Sequence, residues 1–150
     1  MQERKKNKIM ELELRYLTPY LRYRLKCFAE GENIDDYSDP IIPKEFEIVG
    51  LDINYVEIHE IGRTVTEEFI YSEIYPILRP ISDLKKEEFK MYSLNKEAIL
   101  YLDDVAKLPH NNREELMGGI MYRDIRFLFK NHFDVFGLIG EGLAVDINTI

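Results

Sequence analysis

The chain has 150 residues, of which 45% are hydrophobic and 32% are charged, and its formal net charge is −8. This length and composition predict one globular domain with a single core and exclude a disordered chain. The lone cysteine excludes an internal disulfide and favours a reducing, cytoplasmic location. No apolar run reaches the roughly 20 residues that cross a bilayer, and no apolar stretch follows the N-terminal charges, so neither a membrane segment nor a signal peptide is expected.

The charge is unevenly distributed along the chain. Residues 1–26 carry a balance of +5, so the remaining residues carry −13. An acidic body repels the phosphates of nucleic acid and is suited to a basic protein surface. The alternative is that the acidic side chains only keep the protein soluble.

The N-terminal part predicts an extension, a helix and a loop. Residues 1–9 are polar and basic and predict a disordered extension ahead of a single domain over residues 10–150. Thr18 is a suitable N-cap with Pro19 at the first helical position, so a helix is expected from Pro19 to about Cys27. Residues 31–43 are rich in Gly, Asn, Asp and Pro, which is typical of a loop.

The clearest strand pattern follows this loop. Apolar and polar residues alternate between Glu45 and Glu60, which predicts two or three antiparallel strands. The phase shifts at Val49-Gly50 and at Tyr55-Val56, where a bulge or turn is expected because one extra residue exchanges the two faces. A turn is expected at residues 61–63. Residues 64–77 predict another strand, although residues 66–73 also fit a helix.

The following segment predicts short elements. Pro76 and Pro80 favour an extended connection between them. Ser82 or Asp83 is expected to cap a short helix that ends at about Met91. Residues 95–108 predict a helix, or a strand followed by a helix, that ends at residues 109–112.

The last long element has the strongest periodicity. Apolar residues recur three and four apart from Tyr122 to about Gly140, which predicts an amphipathic helix, and residues 143–147 alternate like a short strand. The expected fold is therefore α+β, with a small antiparallel sheet packed against a long C-terminal amphipathic helix and shorter helices.

Residues with catalytic potential are few. Glu57 and His59 lie on one strand face but have no third ligand, and His132 lies on the apolar stripe of the last predicted helix. Cys27 is expected to be a buried structural thiol. The sequence contains no P-loop, dinucleotide-binding glycine pattern, nucleophile elbow or zinc-ligand spacing. These observations predict a non-enzymatic protein without cofactor or metal, the alternative being a small hydrolase or metal enzyme around His59 or His132.

Two sets of residues are candidate binding surfaces. The first set interleaves aromatic and basic side chains, a mixture that stacks on bases and pairs with phosphates, although it is also typical of the edge of a core. Its members are Arg15, Tyr16, Tyr20, Arg22, Tyr23 and Arg24. The second set is an acidic series suited to a basic protein groove, with a solvated face as its alternative. Its members are Glu57, Glu60, Glu67, Glu68 and Glu73.

Three stretches resemble one family of proteins. They are residues 17–26 (LTPYLRYRLK), residues 76–84 (PILRPISDL) and residues 132–148, which begin HFDVFGLI and end GLAVDIN. This pattern resembles small proteins encoded in phages and prophages of Bacteroidetes-type bacteria, over most of the chain from Met10 onward. A tyrosine-proline-tyrosine pattern typical of that family after Leu21 is replaced here by Arg22-Tyr23.

The resemblance implies a context and supplies no catalytic residues. Small acidic phage proteins without catalytic motifs often act by binding host machinery, including defence complexes such as CRISPR effectors. We therefore expect a protein that inhibits or regulates a bacterial host protein, for example a nucleic-acid-handling defence effector, in the manner of an anti-CRISPR. A direct nucleic-acid-binding accessory protein that uses the basic and aromatic N-terminal helix is the first alternative.

Overall fold

The computed structural model describes residues 11–30, 44–106 and 120–150. Within these ranges the chain combines helices with a sheet, so the predicted α+β class is confirmed. The backbone groups into two compact units, one formed by residues 12–77 and one that contains residues 78–150. The predicted extension over residues 1–9 and the predicted loop over residues 31–43 lie outside the described residues.

The first unit begins with a short helical segment. Helix α1 (Leu14–Leu17) continues into a 3₁₀ turn (Thr18–Tyr23), and strand β1 (Lys26–Ala29) follows. The predicted helix from Pro19 to Cys27 is therefore wrong in its second half. Arg24 has a left-handed φ of 58°, which ends the helical path. Cys27 is then fully buried on a strand while Lys26 is exposed, which is the two-residue period of a sheet.

An antiparallel sheet forms most of this unit. Strands β2 (Phe46–Leu51), β3 (Tyr55–Glu60), β4 (Thr66–Ile70) and β5 (Ile74–Leu78) join β1 in the order β4-β3-β2-β1-β5. Of the two or three antiparallel strands predicted between residues 45 and 60, the structure has two. The predicted bulge is also confirmed, because the pairing of β2 with β3 shifts between Ile48 and Gly50.

Other features of this sheet differ from the expectations. The second phase shift marks the turn that precedes β3, and Tyr55 is already the first residue of that strand. Residues 66–70 form a strand, so the helical alternative is wrong apart from a 3₁₀ turn over Tyr71–Glu73. Pro76 lies inside β5, opposite Cys27, so the extended backbone predicted after Pro76 begins as part of that strand. The predicted turn over residues 61–63 is confirmed, with Gly62 at a φ of 91°.

The second unit contains three α-helices in its described part. They are α2 (Lys86–Met91), α3 (Lys96–Ala106) and α4 (Tyr122–Lys130). The N-cap of α2 is Lys85, because Ser82 and Asp83 belong to a separate 3₁₀ turn (Ile81–Asp83). The helical interpretation of residues 95–108 is confirmed as far as Ala106, and the predicted end at residues 109–112 lies outside the described residues.

The C-terminal helix is shorter than predicted. Helix α4 ends at Lys130, and His132 follows in the left-handed region with a φ of 62°. The apolar residues that follow it lie in a series of turns and are buried. Helical spacing therefore continues in the sequence after the helix has ended. The terminal strand, β6, is reduced to Val145–Asp146.

Candidate functional site

Alternation along β2, β3 and β4 divides the sheet of the first unit into two faces. Val56 and Ile58 are fully buried on one face, whereas their neighbours on β3 point the other way. We call this second side the outer face. It is composed of Glu47, Tyr55, Glu57, His59, Thr66, Glu68 and Ile70, and strand register arranges these residues in rows.

The first row is a charge network built on Glu47. Glu47 lies opposite Lys26 on one side and opposite His59 on the other. Arg24 Nε donates a hydrogen bond to Glu47 Oε2 at 2.9 Å, and His59 Nε2 lies 3.3 Å from Glu47 Oε1. The hydrogen bond from Arg24, reinforced by His59, lowers the pKa of Glu47 despite the burial of its side chain.

A carboxylate that orients an imidazole is one component of an acid–base site. In such a site the second ring nitrogen exchanges a proton with a nucleophile, a water molecule or the substrate. Within the described residues, however, the ring of His59 has no other hydrogen-bond partner. The same residues contain no group of three or more His, Cys, Asp or Glu side chains placed to hold a metal ion. The contact between Glu47 and His59 links β2 to β3.

The second row is a pair of glutamates. Glu57 on β3 lies directly opposite Glu68 on β4, and both side chains are exposed. Gly50 on β2 is the other neighbour of Glu57, and a Cβ at Gly50 would collide with the Glu57 carboxylate. Among the described residues neither glutamate forms an ion pair. Two like charges in directly opposed positions destabilise a sheet.

The third row is apolar and exposed. Tyr55 lies opposite Ile70, and the two side chains are 44% and 46% exposed. Val49, which the register shift in β2 leaves unpaired, is also 40% exposed. An apolar row beside an acidic row combines contact area with charge, as protein-binding surfaces do.

The other members of the predicted acidic series do not join this pair. Glu60 is 3.8 Å from both Lys44 Nζ and Arg63 Nε in ion pairs. Glu67 points to the opposite face of β4, and Glu73 Oε1 accepts a hydrogen bond from the Ile70 N–H at 3.2 Å. The structure therefore brings together only Glu57 and Glu68 from the predicted series.

The predicted aromatic and basic set is not one continuous surface. Tyr16 and Tyr20 are 6% and 0% exposed, so their rings belong to the core and are not available to stack on bases. Arg15 lies 3.4 Å from a Glu13 carboxylate oxygen. The guanidinium group of Arg22 lies 5.5 Å from the centre of the Tyr23 ring, and Arg24 is bonded to the first row described above.

The remaining predicted residues have structural surroundings. Burial raises the pKa of the Cys27 thiol to about 12, which fits the expected structural role. His132 lies beyond the end of α4, contrary to the prediction that it occupies the stripe of that helix. Asp134, two residues later, accepts hydrogen bonds from the N–H groups of Leu138 and Ile139 at 2.7 and 2.9 Å.

Sequence reasoning missed several members of the outer face. Glu47, Tyr55 and Ile70 each lie next to a buried residue, so alternation supplies their direction. Thr66 lies between exposed residues, and only its pairing with His59 places it on this face. Alternation does not supply the register that puts them in rows.

Comparisons with known proteins add no assignment. No family model, curated protein or solved structure matches this chain. In the described part of the chain, no helix is both long enough and apolar enough to span a membrane.

Proposed function

We propose that this protein is a non-enzymatic binding protein of the phage or mobile-element type that inhibits or regulates a bacterial host protein. Its outer face would contact a basic surface of that partner. The observation that carries the proposal is the exposed pair Glu57 and Glu68, opposed across β3 and β4.

The energetics of this pair favour a binding role over a purely structural one. Directly opposed side chains in a sheet interact by about 0.2–1 kcal/mol, and for like charges the effect is destabilising. Solubility does not require that arrangement, because glutamates at separated positions provide the same net charge. A cation from a partner placed between the two carboxylates would convert the repulsion into two attractive contacts.

Two further features support a protein partner. The row of Tyr55 and Ile70 provides exposed apolar area next to the acidic row, which suits the mixed chemistry of a protein interface. The net charge of −13 beyond residue 26 steers basic surfaces towards the protein and repels nucleic acid. A nucleic-acid-handling effector with a basic groove, as the resemblance to phage proteins implies, has the required complementarity.

The proposal is tested by affinity purification from a nuclease-treated lysate of a Bacteroidetes-type host. The wild-type chain is compared with the double variant Glu57→Gln/Glu68→Gln. The matched control is Glu87→Gln/Glu97→Gln, which removes the same charge from exposed positions on α2 and α3. We expect one stoichiometric partner with the wild type and the control, and its loss with the double variant.

Two outcomes would contradict the proposal. Equal capture by all three proteins would show that the outer face is not the binding surface. A partner set that disappears on nuclease treatment would instead support direct nucleic-acid binding, for which affinity must fall steeply with salt concentration.

A further inference from the structure

In the described residues, strand β4 lies at one edge of the sheet. Two hydrogen bonds show which of its backbone N–H and C=O groups point towards β3 and which point away from it. The N–H of Ile70 donates to Glu73 Oε1 and so does not bond to β3. The N–H of Asp52 donates to the carbonyl oxygen of Tyr55, which places the backbone groups of Tyr55 on the β2 side of β3. Tyr55 and Ile70 are register partners, so both observations show that they form a pair without hydrogen bonds between β3 and β4.

This direction alternates along β4. Phe69 and Glu67 therefore bond to β3, whereas Thr66 and Glu68 direct their N–H and C=O groups towards the open edge. These two residues present two donors and two acceptors about 7 Å apart, which is the repeat of an extended chain. Residues 61–68 are all exposed, and Val65 is 72% exposed, so the edge is accessible to solvent.

The side chains of β4 place one carboxylate on each face of this edge. Glu68 points to the outer face beside Glu57, and Glu67 points to the other face. Glu67 is exposed although its register partner Ile58 is fully buried, because it lies at the margin of the sheet. An added strand with two consecutive basic residues would direct one cation to each face, opposite Glu67 and Glu68.

The same glutamates disfavour other occupants of this edge. A second copy of β4 would bring like charges into opposed positions, which is how natural edge strands avoid self-association. An acidic segment would be repelled in the same way. Charge complementarity therefore selects a basic segment.

We propose that the edge of β4 is a docking site for an extended segment of the partner that contains adjacent Lys or Arg residues and adds to the sheet as a further strand. This inference rests on the proposed function for the basic character of the partner, and it adds the mode of binding. Main-chain hydrogen bonds to Thr66 and Glu68 provide the pairing, and the two carboxylates provide the preference for basic residues.

The test is an NMR titration of the full ¹⁵N-labelled chain with capped synthetic peptides. The probe alternates Val and Thr around a central Lys-Arg pair, and its counterparts carry Ala-Ala or Glu-Glu at the same positions. We expect the amide signals of Thr66 and Glu68 to shift most, and affinity to fall in the order Lys-Arg, Ala-Ala, Glu-Glu. Each lost charge contact should weaken binding by about threefold.

Two further reagents test the backbone contribution. Thr66→Pro removes an outward N–H without removing a bond to β3, and it should abolish binding, whereas Thr64→Pro, which lies before the strand, should bind normally. Retained amide signals of Val56 and Ile58 show that Thr66→Pro still folds. A probe peptide whose backbone N–H groups facing β4 are methylated should fail to bind the wild type. This test needs no protein variant.

Several results would overturn the inference. They are the absence of shifts at Thr66 and Glu68 at millimolar Lys-Arg probe, equal binding by Thr66→Pro, or self-association of the wild type through the edge. Stronger binding after deletion of residues 1–9 would identify that basic segment as the occupant. If the captured partner is lost with Glu57→Gln/Glu68→Gln but retained by Thr66→Pro, the proposed function stands and the docking mode fails.

Discussion

Replacing Glu68 with lysine should stabilise the sheet while it weakens partner binding. In the wild type, Glu68 on β4 lies directly opposite Glu57 on β3, an arrangement in which like charges destabilise a sheet. The Glu68→Lys variant replaces this repulsion with an attraction in the same geometry. Lysine and glutamate have similar strand preferences, so the change acts mainly through charge.

The magnitude follows from two terms of the same size. Loss of a like-charge pair and gain of an opposite-charge pair are each worth about 0.2–1 kcal/mol. Exposed pairs lie in the lower part of such ranges, so we expect a gain of about 0.5–1 kcal/mol at low salt. The gain should diminish near 1 M salt, where the screening length falls to about 3 Å.

Amide hydrogen exchange provides a local assay, since the chain has no tryptophan to report on unfolding. The N–H groups of Val56 and Ile58 point towards β4, so their protection reports on the β3–β4 pairing. A gain of this size corresponds to about a twofold to fivefold increase in protection. Partner capture by the Glu68→Lys variant should fall in the same preparation.

Glu67→Lys is the matched control. It makes the same charge change one residue away, but Glu67 lies opposite Ile58 and has no opposed carboxylate. Its effect on protection should therefore be small. The reasoning is refuted if Glu68→Lys gives no more protection than Glu67→Lys, or if the gain persists in Glu57→Gln, where no opposed charge remains.

Three other predictions follow from the described contacts. Because Arg24 lowers the pKa of Glu47, ionised Glu47 stabilises the fold above the ordinary glutamate pKa of about 4.3, and this contribution is lost as the pH falls through its lower native pKa. In urea titrations Glu47→Gln should therefore be less stable than the wild type at neutral pH and equal to it at sufficiently low pH. With a pKa of about 12, Cys27 should resist a thiol reagent at pH 8 in the folded protein and react fully in denaturant, so rapid labelling of the native chain would contradict its burial. Asp134→Ala leaves two backbone N–H groups without their carboxylate acceptor and should cost about 2–4 kcal/mol by urea denaturation. The control Asp146→Ala removes an exposed turn contact and should cost about 1 kcal/mol or less, so similar losses would argue against the difference in burial.

The sequence by itself determined the features that depend on neighbouring residues. Alternation predicted β2, β3 and the bulge at Val49-Gly50, because a strand with one buried face repeats every two residues. For residues 95–108 the sequence left a helix and a strand followed by a helix as alternatives, and α3 confirms the first of these as far as Ala106. Each of these patterns is complete within about a dozen residues.

Where a short apolar pattern fits two kinds of secondary structure, the tertiary structure decided which of them forms. Residues near Cys27 fit either a helix end or a strand, and β2 and β5 on its two sides select the strand. Helical spacing of apolar residues continues beyond Lys130. The backbone nevertheless forms turns there, with His132 at a left-handed φ and the Asp134 carboxylate accepting a hydrogen bond from a backbone N–H. Local preference is weak in such segments, and packing against distant residues outweighs it.

The candidate site also depended on tertiary structure. Glu57 and Glu68 are adjacent only because the turn around Gly62 sets the register of β4 against β3, and a shift of one residue would bring Glu67 opposite Glu57 instead. The sequence also did not determine whether Tyr16 and Tyr20 are buried, since a tyrosine suits a core as well as a surface. Composition therefore determined the acidic character of the chain, and strand register decided which carboxylates face each other.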